Sequence, residues 1–330
     1  MKCVAHGVDL LLKGISNLPW ASQTTTKNKN VVQYICNHKK TRALRKANSP
    51  KKCLLVANET RFATNFLSAK RTLEMRPMLE VVSNDYVYDD YVKSATPKVR
   101  LVGQKVRVML KEGEEWQGQF WFELEFLVSI LEPMYLLLRI ADGVKLCVSK
   151  LFHLFRQLPE KLTKICKQKA ALTGEEEQSG WRDEDVKERL GPVNILVAKR
   201  RKYSHTPYLS VAWALGPECH QEKIHGVDNG QVQKDILLVF KRLLFHRTAN
   251  TASEESRKES VSMALAQLAM YKRGTWDGYI YLEYANKMGM AEWWEMYGSM
   301  CAEDMAQVAT RVGFKIPSSA ATERKWSLHG

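Results

Sequence analysis

Acid is what the front of this chain lacks: from Leu10 to Asn58 there is no aspartate or glutamate. Residues 1–60 hold 11 lysines and arginines against Asp9 and Glu59, a balance of +9 in a chain whose total is +14. A positive field this concentrated favours polyanions through counterion release, with steep salt dependence and little sequence information. Long uncharged apolar runs are missing as well. The longest, Phe120 to Ile140, is interrupted by Glu123, Glu125, Glu132 and Pro133. Burying those acids in lipid would be costly, so the run predicts a buried core helix and no membrane partner. The 7 cysteines are irregularly spaced and no apolar leader follows Met1. That argues against a secreted disulfide framework and predicts free thiols in a reducing compartment.

Signatures of catalysis are equally scarce. No Gly-rich phosphate loop and no Ser/His/Asp constellation stands out. No repeat at solenoid spacing is present. Strand signals are few: Val193 to Ala198 is a short apolar run, and Val106 to Leu110 is ambiguous between periods. With 330 residues, 45% of them hydrophobic, the chain can bury a core as one large or two modest domains.

What is present is helical periodicity. Val8, Leu11, Leu12 and Ile15 fall on one helical face. A polar stretch from Ser22 to Asn30 leads through Val31 to Ile35 into the basic segment with Lys39, Lys40, Arg42, Arg45 and Lys46, which Asn48-Ser-Pro50 interrupts as a turn. A helix is expected from about Thr60 to Met75, with Pro77 marking its end. Residues 83–98, polar and rich in tyrosine, read as a loop containing Asp85, Asp89 and Asp90. Trp116 to Ile140 and Val144 to Ile165 predict a helix pair, the second with the stripe Val148, Leu151, Phe152 and Phe155. Gly174 to Gly191 reads as an acidic surface linker. Beyond it, Val232, Ile236, Val239, Phe240 and Leu243 form one stripe and Val261, Leu265 and Leu268 another. The fold class expected is mainly α.

Three blocks carry a family resemblance. The first is Cys3-Val-Ala-His6-Gly-Val-Asp9-Leu-Leu-Leu12, in which Cys3 and His6 share a helical face and could meet the same phosphate or base. No second Cys/His pair at finger-like spacing follows, so a zinc site is discounted. The second is Asn58-Glu-Thr-Arg61-Phe62-Ala-Thr-Asn-Phe66. The third is Ala291-Glu-Trp293-Trp294-Glu-Met-Tyr297-Gly, then Met305-Ala-Gln-Val-Ala-Thr-Arg-Val312, then Ile316-Pro317-Ser-Ser-Ala-Ala-Thr-Glu323-Arg324-Lys-Trp326-Ser327. In order and separation the blocks resemble the hAT superfamily of DNA transposases, with Phe62 in the aromatic form seen in plant members.

The resemblance implies roles residue by residue. Cys3 and His6 would lie on a helix close to the active site, Arg61 would contact the DNA backbone, and Phe62 would stack on an unpaired base. Simple packing is the other reading of Cys3, His6 and Phe62. Trp293, Trp294, Tyr297 and Trp326 would belong to the dimerisation region, as core or as interface. Glu323 matches the third metal-binding carboxylate. The first two, both aspartates, precede the Cys-x-x-His element in the family, and here only Met1 and Lys2 do. One carboxylate cannot hold the two magnesium ions that the intact family uses.

The expectation is therefore a truncated, catalytically inactive relative without a cofactor. It would be an incomplete RNase H-like fold with most of its sheet missing, divided into the rear of the catalytic domain (1–75), a helical insertion (76–285) and a clipped dimerisation region (286–330). Helices that normally cover the sheet would expose their apolar stripes unless they repack or associate. Its expected partners are itself, full-length relatives, and DNA through the basic segment. Two alternatives stand beside it: an active DDE-type component working with upstream sequence or an intact partner, and a decayed remnant without function. The run Lys199-Arg-Arg-Lys202 points to the nucleus, with the cytoplasm as the other location.

Overall fold

Fourteen residues that begin with Pro97 show how this chain builds its helices. Pro97 opens the helix with a preset φ, Gly103, Val106 and Leu110 line one buried stripe, and the basic Arg107 stands in the last turn. The computed structural model describes residues 3–57, 63–111, 118–142, 148–171, 183–220, 230–245, 253–285, 287–300 and 302–314. Helix dominates them, and among the described residues there is no strand, in line with the mainly α expectation. In chain order the helices are α1 (Val4–Ser16), α2 (Pro19–Asn37), α3 (Lys39–Asn48), α4 (Thr64–Glu74), α5 (Arg76–Asn84), α6 (Tyr86–Ser94), α7 (Pro97–Leu110) and α8 (Gly118–Ala141). They continue with α9 (Val148–Ala171), α10 (Asp183–Ser204), α11 (Pro207–Leu215), α12 (Gly230–Phe245), α13 (Glu254–Arg273), α14 (Met290–Trp293) and α15 (Glu303–Gly313).

Two compact units emerge. One holds Val8–Leu136 and Leu158–Lys199, the other Met1–Gly7, Leu137–Gln157 and Arg200–Gly330, so the division falls inside α1, α8, α9 and α10. Residues 75 and 285, the boundaries expected from the resemblance, lie within units. In the first unit α2 packs on α3, α4 and α7. Its polar stretch is helical after all, because the polar side chains find partners inside. Asn28 donates to Ser68 Oγ at 3.2 Å, and Thr24 and Lys27 converge on the buried Glu123, the lysine at 2.9 Å. A buried polar group that is hydrogen-bonded costs little, so the segment can cross the core.

Several local expectations are corrected. Residues 83–98 form the end of α5, α6 and the start of α7, not a loop. Tyr88 and Val92 are buried with Tyr91 half-buried beside them, a helical spacing that the polar composition disguised. Asp85 caps α6, its Oδ1 accepting from the Val87 N–H at 2.8 Å. Pro77 sits in the first turn of α5, where its missing N–H is harmless, while α4 ends at Glu74. Val193 to Ala198 lies in α10, with Val193 and Val197 buried four apart and Ile195 exposed. The supposed linker is helical from Asp183 onward.

The stripe predicted for α1 is buried throughout, with Val8, Leu11 and Ile15 at 0% exposure. The run in α8 is core, and among the described residues no helix is long and apolar enough to cross a membrane. In the second unit α11 packs on α12, and α15 on α13 and α14, around Tyr271, Trp276, Trp293 and Trp294.

The approach of α2 to α7 gives a test. A Cβ on Gly103 would lie 2.8 Å from Tyr34 Cζ and 2.9 Å from Val92 Cγ2, both on buried side chains. Gly103→Ala is expected to lose about 1–3 kcal/mol in urea unfolding, despite the better helix propensity of alanine; an unchanged midpoint would show that the contact is not tight.

Candidate nucleic-acid interface

The corner between α2 and α3 aims the basic segment. His38 is extended there (φ −91°, ψ 132°), ending one helix and preceding the next. The buried Thr41 hydroxyl shares its hydrogen among the carbonyls of Tyr34 (3.2 Å), Ile35 (3.2 Å) and His38 (3.1 Å), satisfying the open end of α2. His38 Nδ1 is 2.7 Å from the Tyr91 hydroxyl, and its ring packs on Tyr34. Burial pushes the Tyr34 phenol up to about 12, so Tyr34 adds no negative charge near neutral pH.

With Thr41 and Arg45 turned inward, Lys39, Arg42, Ala43 and Lys46 form the exposed face of α3. Ala43 stands between the cations, leaving a low surface on which a phosphate chain can lie close. No side chain caps the first turn of α3 and no acid sits there. Its N-terminal dipole therefore repels Lys39 and Lys40, and a bound anion would relieve that repulsion. Lys40 is partly compensated by Asp90 at 3.3 Å and lies 6.0 Å from the Tyr91 ring centroid. Among the described residues no ion pair neutralises Lys39, Arg42 or Lys46.

Arg45 departs from the expected set. It is 9% exposed, and its Nη1 donates to the Lys52 carbonyl at 3.0 Å and to Cys53 Sγ at 3.3 Å, so it organises the segment after α3 instead of presenting charge. Cys3 and His6 belong to the other unit. There Cys3 Sγ accepts the His6 backbone N–H at 3.4 Å at the start of α1, while the His6 side chain is exposed. The Cys-x-x-His element thus caps its own helix locally. Arg61, Phe62, Glu323 and Trp326 lie outside the described residues.

The tryptophan pair is deep in its own unit. Trp293 and Trp294 are both 0% exposed, their ring centroids 5.1 Å apart, and their indole N–H groups donate to the carbonyls of Tyr281 (2.9 Å) and Leu215 (2.8 Å). In the folded chain a partner meets neither ring. Tyr297 is half-buried and stacks on Tyr281 at 4.6 Å.

The acids also have structural employment. Asp9 is buried and pairs with Lys13 at 2.8 Å, and Asp89 pairs with Arg107. Among the described residues no three His, Cys, Asp or Glu side chains gather as metal ligands. One constellation went unnoticed in the sequence. Asp235 accepts from Ser210 Oγ at 2.5 Å and Gln231 Nε2 at 2.9 Å, and lies 3.1 Å from His205 Nε2. The carboxylate sits between serine and histidine, so the imidazole cannot take the serine proton, and Ser210 is wholly buried. It is a structural polar cluster.

No family model, no curated protein and no solved structure matches this chain.

Removing the Trp294 ring would leave a cavity beside Tyr271 and Trp276 and orphan the Leu215 carbonyl. Trp294→Ala is expected to cost about 3–5 kcal/mol in urea unfolding. A cost below about 1 kcal/mol would mean the ring is not core.

Proposed function

We propose that this chain is a non-catalytic helical protein that contacts nucleic acid through the outward face of α3. The observation that carries the proposal is the exposed set Lys39, Arg42 and Lys46 around Ala43, in a stretch free of acid from Leu10 to Asn58. Such a surface meets phosphates without reading bases, so binding should be tuned by salt far more than by sequence. Descent from a hAT-type transposase, an incomplete RNase H-like core and the loss of strand transfer belong to the same proposal and rest on the sequence resemblance. The run 199–202 lies at the end of α10 with Lys199, Arg201 and Lys202 exposed, which supports a nuclear location.

Self-association is a second reading, favoured by one observation. Met296 and Met300, one turn apart beyond the tryptophans, are 56% and 64% exposed, and Phe314 after α15 is 50% exposed. The occupant proposed is a second copy of the chain, whose matching methionines would bury this surface. Light scattering checks it: a dimer at micromolar concentration is expected, and Met296→Lys with Met300→Lys should return it to monomer. A wild-type chain that stays monomeric sinks the idea.

Fluorescence anisotropy with a short DNA duplex across a salt series tests the first proposal. Lys39→Ala, Arg42→Ala and Lys46→Ala should each weaken binding and lower the slope of log affinity against log salt by about 1. Wild-type binding absent at about 50 mM salt, or a triple variant with an unchanged slope, would reject the α3 face.

A further inference from the structure

One helix of the second unit is apolar on both of its faces. Helix α13 turns Val261, Ala264, Leu268 and Tyr271 inward, where it packs on α12 and α15. Gln267 holds it there as well, its Oε1 accepting the Met305 N–H at 3.1 Å. On the opposite face Met263 is 50% and Met270 47% exposed, with Ala266, also exposed, between them. From Ser260 to Tyr271 the chain carries no charged residue. The outward side of a helix that already buries a stripe is normally polar, so two long thioethers left in water there mark a face with something to cover it.

Charge stands only at the two ends of that face. Glu259, Met263, Ala266, Met270 and Arg273 recur at alternating steps of four and three residues, so all five lie within about 80° of arc on one side of the helix. Glu259 and Arg273 are both exposed, and among the described residues no ion pair engages either, whereas the neighbouring Lys258 is paired with Glu254 at 2.9 Å. Both helix ends are fixed. The Ser253 hydroxyl caps the first turn, accepting from the Ser256 N–H at 3.2 Å, and Gly274 stops the last turn in the left-handed region at φ 69°.

Reversal about Ala266 maps this face onto itself. Ala266 stands seven residues from each charged end, so an antiparallel copy of α13 brings its Arg273 to Glu259 and its Glu259 to Arg273. The methionines of the two copies then pack around the facing alanines, and the opposed helix dipoles attract. A parallel copy would set Glu259 against Glu259 and Arg273 against Arg273, which repel.

We propose that the outward face of α13 is an interface for a second copy of this chain, joined antiparallel about Ala266, with Met263 and Met270 at its centre and two Glu259–Arg273 ion pairs at its ends. It needs neither the α3 face nor the Met296–Met300 surface. A contact one helix wide falls below the standard interface size, so the pairing is weak, with a Kd of about 100 µM.

Sedimentation velocity on the full chain decides it, in a Met296→Lys, Met300→Lys background that separates the outcome from the self-association proposed above. Over a concentration series up to about 300 µM, a monomer–dimer equilibrium is expected. Glu259→Arg alone and Arg273→Glu alone should each weaken pairing at least about tenfold, because two like-charge contacts replace two attractive ones. The exchange of both residues restores the dimer, and an equimolar mixture of the two single variants forms a heterodimer. A background chain that stays monomeric throughout, single variants that pair as well as the background, or an exchange variant no stronger than the singles would each overturn the proposal. All four substituted positions are exposed, and far-ultraviolet circular dichroism checks that each variant is folded.

Discussion

One buried hydroxyl governs the front of this molecule. Thr41 closes the end of α2 by serving three carbonyl oxygens, and that closure turns the chain into α3 with only Thr41 and Arg45 facing inward. Rotate α3 by one residue, and Arg45 would join the solvent face while Arg42 turned into the aromatic corner. Burying Arg42 there without an acid would cost several kcal/mol (roughly, for an unpaired charge). The threonine therefore sets which cations are displayed and which one becomes structural.

Arg45 shows why a count of positive charge overstates a binding surface. A guanidinium has five donors in a rigid fork, so it can be spent on backbone carbonyls where a lysine would stay in water. Here it holds the Lys52 carbonyl and the Cys53 sulfur, and Arg71 reaches the same segment from α4. The segment after α3 is thus held by guanidinium hydrogen bonds to its carbonyls. Uncompensated repulsion among the remaining cations persists as surface potential, which is the physical basis for expecting a polyanion there.

Helices with a clean apolar stripe were legible from spacing alone: α1, α9 and α12 stand where their Leu, Val and Phe residues placed them. Segments whose inward faces are polar were not. Asn28 and Thr24 read only as a polar stretch because their partners, Ser68 and Glu123, are distant in sequence, and no local pattern announces a hydrogen bond across that gap. Tyr88 and Tyr91 were hidden by neighbouring aspartates, although their period is helical. The cluster of His205, Ser210 and Asp235 spans two helices and the junction before them, a spacing with no motif to mark it. The basic face itself was visible, since charge needs no partner to be noticed; the inward turn of Arg45 was not, although Thr41 four residues earlier shares its side of the helix.

The apolar stripes bear on what a sheet would have to supply. Val8, Leu11, Leu12 and Ile15 of α1 are each at most 3% exposed, covered by other parts of this chain, so α1 keeps no apolar stripe open. On α7 the apolar residues left in water are outward positions, Leu101 and Val108, which lie opposite the buried stripe formed by Gly103, Val106 and Leu110. Each fully buried Leu or Ile is worth roughly 1.5–3 kcal/mol relative to exposure. A helix that already buries four such side chains gains nothing by trading them for a sheet of equal polarity. The free energy that remains available for association lies in exposed side chains such as Met296 and Met300 and in the uncompensated cations of α3, outside the cores.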